Sequence, residues 1–263
     1  AVAGAALTAA VGPRAVPCRQ PPAAGPVLRV LTANLLAGRA VAEVIAELVR
    51  RQHADVLFVQ ELTAEAAAGF QRAGLSDLLP HRVTQPKPHG TSGSIYARYP
   101  LHDGPLAAPV PTARCTARLD LPSGQSVQLA CIHAAPPKPP WSPDATARWR
   151  TQLSALPAPG EGPRIIAGDF NATLDHAQFR RLLRRGYLDA ASQAGNGLAP
   201  TWGPRPGRRP TLLAIDHVLI DRSCAVLSTS AHWLAGSDHR ALYAELRLPA
   251  PPDRRDQAPP TTR

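Results

Sequence analysis

The chain has 263 residues, 44% hydrophobic and 18% charged, a balance that excludes a disordered protein and suffices for one large domain or two small ones. Its net charge of +10 is almost all arginine, with Lys87 and Lys138 the only lysines among 29 basic residues. Such a charge suits a polyanionic partner, nucleic acid or an anionic lipid surface, although an Ala-, Pro- and Arg-rich composition produces the same excess without one.

Residues 1–26 read as a leader. Its first part, AVAGAALTAAVG, is apolar but shorter than the roughly 20 residues a membrane-spanning helix needs, which fits a remnant of a signal peptide or membrane segment. An extracellular or membrane-tethered location is therefore expected. A single domain follows over 27–248, with no internal repeat in the sequence, and 249–263 reads as a Pro- and charge-rich disordered tail. Strand 27–34 leads into a helix over 40–51, where apolar residues recur at helical spacing, then strand 54–61 and a helix over 63–74 that stops at Gly74. Strands follow at 92–100, 113–121 and 126–133, then a helix over 143–156 and a strand over 162–170. Thr173 is placed to cap a helix through 174–185, with Gly186 at its C′ position. Strands 212–220, about 224–233 and 240–248 close the domain, an α/β pattern of mixed sheets covered by helices. Four cysteines, Cys18, Cys115, Cys131 and Cys224, match no zinc spacing. Cys115 and Cys131 flank the turn LPSGQS and can face each other, as a disulfide or as free thiols.

The strands end unusually. VLRVLTAN ends in Asn34, ADVLFVQE in Glu61, SVQLACIH in His133, and RIIAGDFN in Asp169 and Asn171. LLAIDHVLI carries Asp216, and Asp238 and His239 open the last strand. Each has a local alternative: Asn in a turn, Glu61 or Asp175 at a helix start, Asp216 in a structural ion pair, His133 and His239 as satisfied core histidines. Yet an apolar strand has no local reason to finish on an acid, amide or imidazole. Together these residues build a cluster of hard oxygen ligands and two imidazoles at the mouth of a sheet.

In order, LTANLL, VQEL, CIHAAPP, AGDFNATLD, AIDHVLI and GSDHRALYAEL resemble the motif series of the endonuclease/exonuclease/phosphatase superfamily, across about residues 28–248. The resemblance implies a four-layer α/β sandwich, two mixed β-sheets face to face with helices outside. It also implies a divalent-metal-dependent phosphodiesterase using Mg²⁺, with Mn²⁺ or Ca²⁺ as alternatives. Carried over motif by motif, Glu61 is the main metal ligand with Asn34 beside it and Asp238 near the ion. Asp169 orients or deprotonates the attacking water, Asn171 holds a phosphate oxygen, and His239, oriented by Asp216, contacts the phosphate. His133 is the second histidine, placed to protonate the leaving oxygen. The physics agrees, because in-line attack crowds negative charge onto oxygens that a cation, an imidazolium and an amide donor stabilise.

The chain departs from its relatives in places. The tyrosine of the AP-endonuclease branch has no counterpart, and the glutamate that pairs with the first histidine of deoxyribonucleases is replaced by Gln85 or by nothing. PPKPPW at 136–141 is too short for the aromatic hairpin of bacterial sphingomyelinases. The acceptor pattern NAT at 171–173 falls inside the catalytic motif, where a glycan would block the site. Arg98, Trp202, Arg205, Arg208 and Arg209 are candidate substrate contacts, with Trp202 as a stacking platform and RPGRR as a grip on phosphates or, equally, a solvated loop. RRLLRR at 180–185 reads as the outer face of a helix. The expected substrate is nucleic acid and the alternative an anionic phospholipid or phosphoinositide, with the protein acting as a monomer. A non-catalytic binding protein fits poorly, because every catalytic position is filled.

Overall fold

The computed structural model describes residues 11–85, 92–104, 113–137, 143–160, 162–203 and 213–251, apart from the side chains of Gln85, Ser92, Ala113 and Arg114. Twelve strands in these segments form two six-stranded sheets. The first contains β1 (Val27–Asn34), β2 (Val56–Leu62), β3 (His81–Gln85), β4 (Ser92–Ala97), β11 (Ala225–Trp233) and β12 (Arg240–Arg247), in the order β11-β12-β1-β2-β4-β3. The second contains β5 (Leu101–Asp103), β6 (Ala113–Asp120), β7 (Ser126–His133), β8 (Arg164–Asp169), β9 (Tyr187–Asp189) and β10 (Asp216–Asp221), in the order β5-β6-β7-β8-β10-β9. The helices are α1 (Ala42–Arg51), α2 (Ala64–Arg72), α3 (Leu75–Leu78), α4 (Pro143–Ser154), α5 (Ala177–Arg184) and α6 (Ala190–Gln193).

Strand alternation sends side chains to opposite faces of a sheet, and three apolar clusters follow. Val30, Val56, Phe58, Leu129, Ile165 and Val218 fill the space between the sheets. Leu31, Leu57 and Val59 pack on Ile45, Val49 and Phe70 of α1 and α2, while Ile166 and Leu219 pack on Trp149 and Phe179 of α4 and α5. The molecule is thus helix, sheet, sheet, helix, the expected four-layer sandwich. The central pairs β1–β2 and β7–β8 are parallel and all other pairings antiparallel. Parallel neighbours joined by a crossover helix end on the same edge of a sheet. Gly168 makes the closest approach: at φ 142° its missing side chain lets the backbone lie against Ile132, whose carbonyl a Cβ would meet at 2.0 Å.

The elements match the sequence reading except where they are short. β3, β5, β9, α3 and α6, three to five residues each, carry too little pattern to be read. The helix expected from 174 begins at Ala177, because Thr173 turns the chain first: its Oγ1 accepts from Asp175 N and its carbonyl from His176 N. Gly186 does follow this helix with a positive φ of 121°. Asp216 starts its strand instead of sitting in its middle, since Ile215 and Asp216 give their N–H groups to Thr201 Oγ1. Residues 11–26, read as a leader, lie along the domain. Arg14 pairs bidentately with Asp175, Cys18 N donates to Gln193 O, and Gln20 Oε1 accepts from Val226 N. Cys115 and Cys131 are register partners on β6 and β7, and none of the four cysteines forms a disulfide. Among the described residues no helix is long and apolar enough to cross a membrane.

Candidate active site

β1, β2, β7 and β8 end where the antiparallel strands β10 and β12 begin, so the strand-end residues share one mouth. His133 and Asp169 are register partners across β7 and β8, and Asp169 and Asp216 across β8 and β10. Asp169 is the hub. Its Oδ2 accepts from Asn34 Nδ2 at 3.1 Å and Asn171 Nδ2 at 3.3 Å, and its Oδ1 accepts from Asn171 N at 2.8 Å. His133 Nε2 lies 3.8 Å and His239 Nε2 3.9 Å from Oδ2 of the same carboxylate. Asn34 Nδ2 also reaches Glu61 Oε1 at 3.2 Å, and Glu61 Oε2 accepts from Ala37 N at 2.6 Å.

Two of these residues sit in strained backbone. Glu61 has φ 58° and Asn171 φ 47°, the left-handed region that non-glycine residues seldom occupy. The strain at Glu61 coincides with a register shift between Val59 and Leu62, where β2 breaks step with β4. Asn171 turns the chain at the end of β8, and its Nδ2 also donates to Ala134 O at 3.0 Å.

His239 is buried and bonds through Nδ1 to Asp216 Oδ2 at 2.9 Å, which leaves Nε2 facing Asp169 and Asp238. Burial opposes the charged ring, but the carboxylates of Asp216, Asp169 and Asp238 prevail and raise its pKa to about 9. Asp169 is held above the usual carboxylate range by burial and by Asp216, against the pull of His239.

A cation fits this donor set. Asp169, Asp216 and His239 each bring a ligand atom within 4.8 Å of the others. Two buried oxygens, Asp216 Oδ1 and Asp238 Oδ1, have no hydrogen-bond partner among the described residues, which leaves hard oxygen donors at the cluster unsatisfied. Glu61 stands next to this cluster, joined to Asp169 through the Asn34 amide group, which donates to both carboxylates.

Of the expected substrate contacts, Trp202 is brought to the site. Its backbone bridges that of His239 and its Nε1 donates to Asp238 Oδ2 at 3.0 Å, so the indole orients a carboxylate. Arg98 is not. It follows β4 at the end where Ala97 pairs with Val56, the start of β2, and its Nε donates to Asp55 Oδ1 at 3.1 Å, so it lies at the other end of the strand from Glu61. Arg205, Arg208 and Arg209 lie outside the described residues, as does the side chain of Gln85.

Three supporting residues escaped the sequence reading. Thr201 caps the start of β10 as described, and Ser237 Oγ donates to Asn34 O and accepts from His239 N, tying β1 to β12. Trp149 Nε1 donates to Phe170 O and holds the turn after β8 from below. Ordinary Ser, Thr and Trp in loops and helices carry no signal that separates these roles from any other.

A family model described as the Endonuclease/Exonuclease/phosphatase family matches residues 31–239, a span that contains every strand-end residue named above. The chain belongs to the endonuclease/exonuclease/phosphatase family. It is accordingly a hydrolase of phosphate esters, in a family whose members depend on a divalent cation. No curated protein matches the sequence. Among solved structures, an endonuclease/exonuclease/phosphatase from Beutenbergia cavernae is similar with a TM-score of 0.65 and 20% identity, covering 85% of this chain and 72% of that one. A humanized D. rerio TDP2 has a TM-score of 0.63 and 20% identity over 84% of this chain and 98% of its own. Sphingomyelinase C from Streptomyces griseocarneus has a TM-score of 0.57 and 17% identity over 84% and 99%. At these identities the likeness shows the fold alone.

Proposed function

We propose that this family member is a Mg²⁺-dependent phosphodiesterase that cleaves nucleic acid by in-line attack of water. The observation that carries the reading is the convergence of Asp169, Asn171, His133 and the Asp216–His239 couple beside Glu61 and Asn34 at one mouth. Glu61, Asn34 and Asp238 would hold the ion, which when bound supplies positive charge for the phosphate oxygens. Asp169 Oδ2, ringed by amide and imidazole groups, is the base that orients water and takes its proton. Asn171 Nδ2 has two acceptors in this arrangement and swings from them to a non-bridging oxygen. His239, its tautomer set by Asp216, presents a protonated Nε2 to the phosphate, and His133 Nε2, 3.6 Å from Glu61 Oε1, faces the leaving oxygen.

Nucleic acid as substrate is supported by the +10 charge and by Trp202 at the mouth. The reading includes a protein acting as a monomer, since one chain supplies every group named. It also includes an extracellular or membrane-tethered location, supported by the apolar residues 1–12 and checked by cell fractionation. The deciding experiment is a hydrolysis panel with Mg²⁺ or EDTA over plasmid DNA, RNA, phosphoinositide and sphingomyelin vesicles, and bis-p-nitrophenyl phosphate. Nicking of plasmid that EDTA abolishes, and that His239→Ala lowers by about 10²–10⁴-fold, is the expected result. Intact nucleic acid with turnover of either lipid would overturn the substrate assignment in favour of a phospholipid hydrolase.

A further inference from the structure

Beneath the catalytic turn lies a second histidine–carboxylate couple, formed by residues the reaction does not touch. His217 and Asp189 are 2% and 3% exposed, and His217 Nδ1 lies 2.8 Å from Asp189 Oδ2. On the other side of the ring, Nε2 lies 2.7 Å from the carbonyl oxygen of Ala172. A carbonyl only accepts, so Nε2 carries a proton and donates it, and Asp189 receives the opposite edge of the ring. The imidazole is wedged between Phe170, with ring centroids 5.7 Å apart, and Phe179, at 4.3 Å. Asp189 is itself fixed, because its Oδ1 caps α6 by accepting from Ser192 N at 2.7 Å.

Ala172 follows Asn171, the residue held at φ 47° whose N–H and amide both bond to Asp169. A left-handed, non-glycine residue returns to ordinary backbone unless its neighbours are pinned on both sides. Upstream, Phe170 N donates to Ile215 O and Phe170 O accepts from Trp149. Downstream, the hydrogen bond on the Ala172 carbonyl comes from His217. We propose that His217, clamped by Asp189, is a positioning residue that holds the Asp169–Asn171 turn in its reactive shape from the face of the sheet opposite the substrate. Alternation along β10 makes this possible. Asp216 points between the sheets to His239, and the next residue points outward to the back of the same turn.

The kinetic half of the test rests on the proposed phosphodiesterase reading; the structural half does not. Three variants are compared with the wild type: His217→Leu, which removes both donors; His217→Gln, which can still give an N–H to Ala172; and Leu182→Ala, which opens the same outer core without touching the turn. With bis-p-nitrophenyl phosphate and Mg²⁺, His217→Leu is expected to lower kcat by about 100-fold with KM little changed. His217→Gln should recover much of the loss, and Leu182→Ala should lower Tm but keep kcat. By hydrogen–deuterium exchange, a peptide covering 169–176 should lose protection in His217→Leu and keep it in Leu182→Ala. Unchanged kcat and unchanged exchange in His217→Leu would overturn the assignment. So would an equal kcat loss in Leu182→Ala, which would reduce His217 to a core residue. If the wild type turned over no phosphodiester, the proposed function would fall while the exchange arm still decided the role of His217.

Discussion

Asp216 uses one carboxylate oxygen for His239 Nδ1 and leaves the other buried without a partner. Its contribution is orientation: it selects the tautomer that turns Nε2 to the mouth and stabilises the charged ring. Asp216→Asn keeps the shape but permits the wrong tautomer, so kcat is expected to fall by about 10³–10⁴-fold with little change in Tm. A steady-state assay beside a melting curve checks this, and a kcat within tenfold of wild type would contradict it. At this scale the sequence was informative where a polar residue broke an apolar strand. Asn34, Glu61, His133, Asp169 and Asp216 stood out because burying such groups at a strand end costs energy that only a function or a partner offsets. His217 did not stand out, because it follows Asp216 and a lone histidine beside a better candidate is absorbed into the motif. Arg98 misled for a different reason. A basic residue after a strand suggests a rim, but which rim depends on strand direction, and that is fixed by the antiparallel pairing of β4 with β2.

Among the elements, β9, β10 and α6 meet at the Asp189–His217 couple. Burial opposes the charged His217 ring, yet Asp189 and the Ala172 carbonyl outweigh it and raise its pKa above the usual imidazole value. A histidine raised on folding stabilises the protein fully below its unfolded pKa of about 6.5, and that contribution is lost as pH rises through the folded value. Stability to urea should therefore decline as pH is raised from 6, and Asp189→Asn should flatten this slope. Parallel slopes for wild type and variant would show that another group sets it. These elements are also the ones the sequence concealed. β9 is three residues and α6 four, too short for periodicity, and their cap by Asp189 is visible only once α6 is known to exist. The long strands, β1 and β7 above all, follow the expected bounds, because continuous apolar runs ended by polar residues leave little choice of register.

For the whole molecule the net charge of +10 makes a claim that no single contact makes. If nucleic acid is the substrate, binding releases condensed counterions, and the logarithm of affinity should fall linearly with the logarithm of salt concentration. Fluorescence anisotropy on a short duplex, with catalytically inactive His239→Ala, measures that slope; a slope near zero would leave the charge to composition. The order of strands carries a different lesson. Written side by side, β11-β12-β1-β2-β4-β3 and β5-β6-β7-β8-β10-β9 match: an antiparallel pair at one edge, a parallel pair, then a second antiparallel pair whose later strand lies inside. The correspondence reaches the chemistry. Asn34 and His133 close equivalent strands, and Glu61, next to last in β2, is matched by Asp169 at the end of β8. A sequence that shows no repeat thus folds into two sheets with the same order of pairings. The two sheets share the work: the first carries Asn34, Glu61 and, just before β12, His239, the second carries His133, Asp169 and Asp216, and neither holds a complete site without the other.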